Sequence, residues 1–177
     1  MSIRAFRGIH PRIGDRCYID ASADVIGNVM IGADSSVWPQ CVVRGDVNRI
    51  RIGIRTNIQD ATIIHVTHEG PYTPDGGIMT IIGDEVTVGH RALLHACEIH
   101  DRCLIGMGAI IMDGVVIEDE VMVAAGSVVP PGKRLASRKL YRGSPAVEVR
   151  DLTATEIEML KYSAAHYVRL KDAYLGN

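Results

Sequence analysis

Branched apolar residues return every six positions along most of this 177-residue chain. The series runs from Ile13 to Val43, resumes from Ile52 to Ile64 after a disturbance over residues 44–50, and restarts from Ile82 to Leu94. It loses one residue before Ile99 and then continues to Val129. This period is typical of a parallel β-helix, in which each unit supplies a short strand and a corner and three units close a triangular coil. The period alone does not give the handedness of the coil.

The composition supports a fold built from strands. Hydrophobic residues make up 47% of the chain, whereas Phe and Trp occur once each, so the core must consist mainly of small and branched side chains. Such side chains favour strands. The formal net charge is 19 − 21 = −2, without a long run of like charges. This balance argues against nucleic acid and membrane surfaces as partners and leaves small molecules.

The N-terminal region indicates a cytoplasmic protein, and the cysteines are interpreted on that basis. The first twenty residues contain several charged side chains and no long apolar run, so we expect neither a signal peptide nor a membrane span. The cysteines form no CxxC pair, and each lies two residues before an apolar residue of the repeat. They are Cys17, Cys41, Cys97 and Cys103. We interpret them as small core residues rather than as disulfide partners or redox groups.

Two segments depart from the six-residue period. Residues 66–81 contain several Gly and Pro residues and predict a loop that leaves the coil at one corner. The period ends at residues 130–132, and Thr153 with Glu156 forms a capping box that predicts a C-terminal helix. The expected apolar side of this helix contains Ile157, Leu160, Ala164, Tyr167 and Tyr174. We therefore expect a β-helix over residues 1–140, followed by an exit turn and a packed helix over residues 141–177.

Histidines are the candidate metal ligands. His90 and His95 are five residues apart, a spacing that suits one face of neither a helix nor a straight strand. They could share a metal from different faces of one coil or from two copies of the chain. His65 follows Ile64 as His95 follows Leu94. If the loop adds twelve residues, the two repeats lie 30 − 12 = 18 residues apart, which is one coil, and the two histidines are stacked neighbours.

Three motifs carry a resemblance that covers nearly the whole chain. They are Val43-Arg44-Gly45-Asp46, Thr56-Asn57-Ile58-Gln59-Asp60, and the spacing of His65, His90 and His95. With the exit turn at residues 142–145 and the C-terminal helix, they resemble the γ-class carbonic anhydrase family, in particular its short bacterial YrdA/PaaY-like branch. The six-residue period is shared with many acyltransferases, whereas the histidine spacing together with the other two motifs is specific to this family.

The resemblance implies an all-β fold, a left-handed parallel β-helix with a C-terminal α-helix, that forms a homotrimer with one metal at each subunit interface. It implies that His65 and His95 of one subunit and His90 of the next bind Zn²⁺, or else Fe²⁺ or Co²⁺, with one open coordination position. A metal held in this way lowers the pKa of its bound water from 15.7 to about 7. The expected reaction is the reversible hydration of carbon dioxide to bicarbonate.

The same resemblance implies roles for further side chains. The expected catalytic residues besides the metal ligands are Gln59, Asn57, Arg44, Asp46, Asp60 and Tyr167. Gln59 is expected to hydrogen-bond the hydroxide with the support of Asn57, and Tyr167 is expected to point from the helix toward the pocket. The arginine and the two aspartates are expected to form charged pairs across the subunit interface, either for catalysis or for trimer contacts alone.

The sequence departs from the family pattern in its acidic groups. The archetypal enzyme has a glutamate directly after its Arg-x-Asp motif, where this chain has Val47. The acidic loop of that enzyme is replaced here by a short loop with Glu69 and Asp75. In the archetype those glutamates move protons away from the metal-bound water, so we expect slow hydration unless another group such as His68, Glu69 or Tyr72 replaces them.

Two other functions fit the same scaffold. An acyl-CoA transferase or thioesterase would need a free catalytic histidine and a groove for coenzyme A, whereas three histidines on one metal leave none of the three free. A trimeric scaffold that binds metal without catalysis is the other alternative. Measuring the metal content separates a plain transferase from a metal-binding protein. Assays of carbon dioxide hydration and of thioester hydrolysis separate the remaining functions.

Overall fold

The computed structural model describes residues 2–176. Its strands and helix, in chain order, are β1 (Ser2–Arg4), β2 (Arg12–Ile13), β3 (Tyr18–Ile19), β4 (Asp24–Ile31), β5 (Ser36–Val37), β6 (Val42–Ile52), β7 (Asn57–Ile58), β8 (Ile63–His65), β9 (Thr80–Ile82), β10 (Thr87–Val88), β11 (Leu93–His95), β12 (Glu98–Ile99), β13 (Leu104–Ile105), β14 (Ile110–Ile111), β15 (Val116–Ile117), β16 (Met122–Val123), β17 (Val128–Val129), β18 (Arg134–Leu135), β19 (Lys139–Gly143), β20 (Ala146–Asp151) and α1 (Ala154–Tyr174).

The short strands stack in parallel on the three faces of a solenoid, as the six-residue period predicts. One face contains β3, β5, β7, β10, β13, β16 and β19 in that order. Ile99 pairs with Ile117 directly above it, so a regular coil contains eighteen residues. Ile64 pairs with Leu94, and the chain between them exceeds a regular coil by the predicted twelve-residue excursion. Leu94 in turn pairs with Ile111, so the next coil on this face is one residue short.

The disturbance at residues 44–50 is a long strand rather than an irregular corner. β6 continues through these residues beside β4, with a register shift between Gly27 and Val29. Ile31 consequently pairs with Ile52, so this coil is three residues longer than a regular one. Two faces of the solenoid are joined through these long strands, which place the Arg-Gly-Asp motif beside the strand that ends at His65.

The repeat residues form the core, as expected. The largest of its fully buried apolar side chains are Ile31, Ile50, Ile58, Ile64, Ile82, Leu94, Ile99, Ile105, Ile111, Ile117 and Leu135. The cysteines are unpaired; Cys41, Cys97 and Cys103 are buried in this core, and Cys17 packs against it. Burial raises the pKa of each thiol, that of Cys41 to about 11, so these groups stay protonated and unreactive at neutral pH. The core interpretation of the cysteines is confirmed.

The loop between β8 and β9 is shorter than predicted. Thr80 and Ile81 belong to β9, so the excursion covers residues 66–79 rather than 66–81. Its base is closed by two backbone hydrogen bonds, from Thr67 N–H to the carbonyl of Ile78 at 2.9 Å and from Ile78 N–H to the carbonyl of Thr67 at 3.0 Å. The loop is therefore anchored where it leaves the coil.

The prediction that the repeat ends at residues 130–132 was wrong. Leu135 and Tyr141 continue the six-residue spacing from Val129 and are buried in the core, and β18 and β19 stack on the preceding coil. Residues 130–132 form a corner instead. The chain then turns at residues 144–145 into β20, which pairs antiparallel with β19. This hairpin was not predicted, because β20 exposes most of its side chains and lies outside the six-residue period.

The C-terminal helix begins as predicted and packs on one face of the solenoid. The capping box is present, because Thr153 accepts from the Glu156 N–H and Glu156 accepts from the Thr153 N–H. The helix contacts β3, β5, β7 and β10 and buries Leu160 and Ala164. In the described part of the chain, no helix is long and apolar enough to cross a membrane.

A buried lysine fastens the far end of the helix to the first coils. The side chain of Lys171 is 0% exposed, and its Nζ lies 2.7 Å from Asp34 Oδ1 and 2.6 Å from Asp172 Oδ1. Arg16 bonds to the same two carboxylates from the surface, at 3.0 and 2.8 Å. A buried ammonium group needs such partners, since an unpaired charge in the interior is strongly unfavourable. The apolar pattern of the helix did not predict this ion cluster.

Candidate metal centre

Two of the three candidate ligands meet at the ends of neighbouring strands. His65 ends β8, His95 ends β11, and the two residues are direct partners in the ladder. His65 Nδ1 lies 3.2 Å from His95 Nε2. The stacking that was predicted from a twelve-residue excursion is therefore confirmed. Two nitrogens bound to one tetrahedral zinc, each about 2.05 Å from the metal, lie about 3.4 Å apart, so this spacing fits two ligands of one ion.

The proton positions on these two rings are set by carboxylates. His65 Nε2 lies 3.0 Å from Asp46 Oδ1, and His95 Nδ1 lies 2.7 Å from Asp113 Oδ1. An ionised carboxylate only accepts hydrogen bonds, so in each neutral ring the nitrogen that faces the carboxylate carries the proton. The other nitrogen of each ring then carries a lone pair, and these are the two nitrogens that face each other. Two facing lone pairs repel unless a cation lies against both. The residues present thus fit a bound metal ion.

The ionisation of these groups agrees with that arrangement. Burial, opposed by the bond to Asp46, lowers the pKa of His65, which favours the neutral ring that a metal requires. Burial raises the pKa of Asp46 and of Asp113, but their hydrogen bonds outweigh it and bring both pKa values below the ordinary range. The lowering bonds come from His65 and Arg44 for Asp46, and from Thr67 and His95 for Asp113.

His90 lies at a different corner of the coil, after β10. Its Nδ1 lies 2.8 Å from Asp60 Oδ2, so the neutral ring presents the lone pair of Nε2. Within residues 2–176 of one chain, no three His, Cys, Asp or Glu side chains are arranged to hold a metal. One chain therefore brings together His65 and His95 but does not bring His90 to them.

Four of the other predicted site residues lie around His90, namely Gln59, Asn57, Asp60 and Tyr167. A cavity of about 330 Å³ is lined by Gln59, His90, Tyr167 and residues of β10, β13 and α1. Gln59 Nε2 donates to Asn57 Oδ1 at 3.1 Å, and Asn57 Nδ2 donates to Thr87 Oγ1 at 3.0 Å. Both amides are buried, so these bonds fix the orientation of Gln59 in the cavity.

Tyr167 reaches this cavity from the helix, where the sequence placed it. Its ring packs edge-on against Trp38 with centroids 5.8 Å apart. Burial, together with the charge of Asp60, raises the pKa of its hydroxyl. Tyr167 is therefore a neutral hydrogen-bond donor at physiological pH.

The charged residues expected at an interface already have partners inside the chain. Arg44 forms an ion pair with Asp46, whose other oxygen holds His65, and Asp60 holds His90. Val47 lies next to Asp46 with 46% of its surface exposed, and both line a cavity of about 550 Å³ together with Asp75 of the loop. The position that carries a glutamate in the archetype is thus at the rim of this cavity, one residue from the carboxylate that holds His65.

The chain is similar to several known proteins. The family model of the bacterial transferase hexapeptide (six repeats) matches residues 10–45 and 96–131. Protein YrdA of Escherichia coli (strain K12) is 51% identical over 173 residues, which cover 98% of this chain and 94% of that protein. Gamma carbonic anhydrase 2, mitochondrial, of Arabidopsis thaliana is 45% identical over 167 residues, 93% of this chain and 58% of that protein.

The chain belongs to the hexapeptide-repeat family of the γ-carbonic anhydrases, close to YrdA. A crystal structure of a hexapeptide transferase family protein from Anaplasma phagocytophilum is also similar, with a TM-score of 0.90 and 39% identity over 98% of each chain. Members of the γ-carbonic anhydrase family and proteins described as transferases therefore share this scaffold, and the side chains of the site must decide the function.

Within this γ-carbonic anhydrase scaffold, sequence reasoning missed two residues of the candidate centre. Asp113 Oδ1 forms a hydrogen bond with His95 Nδ1, and the hydroxyl of Thr67 donates a hydrogen bond to the second oxygen of Asp113. Asp113 belongs to none of the three motifs, and the short coil between Leu94 and Ile111 hides its position opposite His95. Asp113 does lie eighteen residues after His95, the length of a regular coil. The paired strands of this coil are only seventeen residues apart, however, so the eighteen-residue step applies at the corner and not in the strands.

Proposed function

We propose that this protein is a metal-dependent enzyme of the γ-carbonic anhydrase type that hydrates carbon dioxide reversibly to bicarbonate. The observation that carries the proposal is the approach of His65 Nδ1 to His95 Nε2 at 3.2 Å, while a carboxylate holds the other nitrogen of each ring. The proposed third ligand is His90 of a neighbouring subunit in a homotrimer, since one chain, over its described residues, does not bring it to the pair. Zn²⁺ is the proposed metal, with Fe²⁺ or Co²⁺ as substitutes that suit imidazole ligands.

The protein side chains have separate tasks in this proposal. When bound, a divalent metal of this kind supplies a nucleophile from water at neutral pH. Asp46, Asp113 and Asp60 each hold one histidine ring in the tautomer that presents a lone pair. We assign to Gln59, which Asn57 holds, a hydrogen bond to the reacting oxygen, and to the neutral hydroxyl of Tyr167 the orientation of the substrate.

The absence of an acidic group at Val47 bears on the rate. Proton transfer from the site to solvent needs a titratable group near the operating pH, and an apolar side chain at the rim supplies none. We therefore propose a slow hydrase whose turnover depends on external buffer. We also propose a cytoplasmic location, on sequence grounds alone.

The test is a combined measurement of metal and turnover. Metal-free protein is loaded with Zn²⁺ or Fe²⁺, bound metal is determined by elemental analysis, and hydration is followed by stopped flow with a pH indicator. The proposal expects about one metal per chain and hydration above the background rate. In His95→Ala both should be lost. Full metal content in that variant would contradict the proposed ligand set.

A second candidate is an acyl-CoA transferase or thioesterase. The His90–Asp60 pair, at 2.8 Å beside a cavity of about 330 Å³, has the form of a general base held by a carboxylate. The similarity to the hexapeptide transferase family protein supports this reading of the scaffold. Acetyl transfer or thioester hydrolysis by the metal-free protein, with loss of activity in His90→Ala but not in His95→Ala, would favour it over the hydrase. A trimer that binds metal but shows neither activity would be a scaffold.

A further inference from the structure

Asp113 lies at the corner after β14, where the chain passes closest to the end of β11. Gly114 N–H donates to the carbonyl of Ala96 at 2.7 Å, which ties this corner to the residue directly after His95. Asp113 Oδ1 lies 2.7 Å from His95 Nδ1, and Oδ2 accepts the hydroxyl proton of Thr67. Both oxygens of the carboxylate are therefore engaged by side chains from two other segments.

Thr67 is itself fixed by the loop base. Its N–H and carbonyl pair with Ile78 in both directions, at 2.9 and 3.0 Å. The backbone of Thr67 is thereby held in one place, and its hydroxyl donates a hydrogen bond to Asp113 from there. A continuous chain of contacts runs from the base of the loop through Thr67 and Asp113 to the ring of His95.

We infer that Asp113 is a positioning residue that keeps the proton of His95 on Nδ1 and so directs the lone pair of Nε2 to the metal, and that Thr67 holds Asp113 in the orientation that this requires. The inference rests on the proposed metal function. It adds two residues to the site, and they act through His95 rather than on the metal or the substrate. A carboxylate behind a metal-binding histidine fixes the tautomer and ring orientation, and its loss typically costs 10- to 100-fold in metal affinity.

The central variant is Asp113→Asn. The amide has nearly the shape of the carboxylate, but it can turn its NH₂ group toward His95 and allow the proton to move to Nε2. The expected result is a Zn²⁺ affinity lower by about 10- to 100-fold in competition with a chelator. In the metal-free protein, ¹⁵N NMR of the histidine rings should show a new population of the Nε2–H form of His95, whereas the wild type shows the Nδ1–H form.

The chain offers a matched control for this change. His100 Nε2 lies 2.8 Å from Glu98 Oε1, a histidine–carboxylate contact of the same kind outside the candidate centre. Glu98→Gln makes the same chemical change there and should leave the Zn²⁺ affinity and the tautomer of His95 at wild-type values. Thr67→Val removes the hydroxyl with little change of shape and should lower the Zn²⁺ affinity less than Asp113→Asn does. Thr67→Ser keeps the hydroxyl and should retain the wild-type affinity.

The outcomes separate the inference from the proposed function. Wild-type affinity and an unchanged His95 tautomer in folded Asp113→Asn would overturn the inference. Should that variant fail to fold, Thr67→Val decides: an unchanged tautomer and affinity there would overturn the inference equally. If wild-type protein binds no metal, the proposed function fails, whereas the tautomer measurement still shows whether Asp113 controls the ring.

Discussion

The sharing of a metal between subunits can be measured by mixing two inactive variants. Each centre is proposed to take His65 and His95 from one chain and His90 from the next around a closed ring. His65→Ala and His90→Ala should therefore each lose the metal when alone. In a mixed trimer, one interface joins a His90→Ala chain with an intact pair to a His65→Ala chain that supplies His90.

The expected recovery follows from the symmetry. Random mixing of equal amounts gives mixed trimers in about three quarters of cases, and each mixed trimer regains one centre of three, so roughly a quarter of the wild-type centres should return. The structure also supplies the control. His65 and His95 face each other at 3.2 Å in one chain, so every centre formed from His65→Ala and His95→Ala chains lacks one ligand, and this mixture should recover nothing.

The assay is joint refolding of the two variants, with native mass spectrometry to show that trimers contain both chains. Bound metal is determined by elemental analysis, and hydration is measured on the same sample. No recovery in confirmed mixed trimers would refute the shared site. Equal recovery in the His65→Ala and His95→Ala control would refute the assignment of this pair to one chain.

Three further predictions concern the rim and the stability of the fold. Val47→Glu should raise hydration turnover in weakly buffered solution and change it little at high buffer, because external buffer replaces an internal proton carrier; stopped-flow traces at two buffer strengths show whether this is so. Glu156, whose pKa is lowered to about 2 first by Arg150 and then by Thr153, should stabilise the protein above pH 4.5, and its advantage over Glu156→Gln in urea unfolding should disappear as the pH falls toward 2. Asp34→Ala should cost about 3 kcal/mol in the same unfolding assay, at the low end of the range for breaking a buried ion pair because Lys171 keeps its bond to Asp172, and a cost well below 1 kcal/mol would show that Asp34 is not needed.

The solenoid itself could be predicted because its information is local and repeated. Each apolar residue of the six-residue period points inward, so one pattern predicts the strands, the corners and the core together. The helix start could be predicted for a similar reason, since Thr153 and Glu156 are three residues apart and cap each other. The stacking of His65 on His95 needed one additional assumption, the length of the loop, and the ladder supplied it.

The remaining features depend on residues that are distant in sequence. A lysine is usually exposed, so the sequence gives no sign that Lys171 is buried. Its burial depends on the ion pair with Asp34, which is 137 positions away. Asp113 is brought to His95 by the stacking of β14 on β11 and the corner that follows, which no pattern at Asp113 itself reveals. The hairpin of β19 and β20 forms on the last coil, where β19 also pairs with β16 and most side chains of β20 are exposed.

The excursion at residues 66–79 breaks the continuity of the chain but not that of the ladder, since β8 and β11 remain direct neighbours on one face. The distance between the two histidines is thus fixed by the rung spacing of the stacked strands and is independent of how many residues lie between them. Loop length is also thermodynamically inexpensive to change, at about 0.6 kcal/mol for each doubling. Insertions and deletions beyond the Thr67–Ile78 base can therefore change the groups beside the two histidines, while the ladder that sets the spacing of His65 and His95 stays the same.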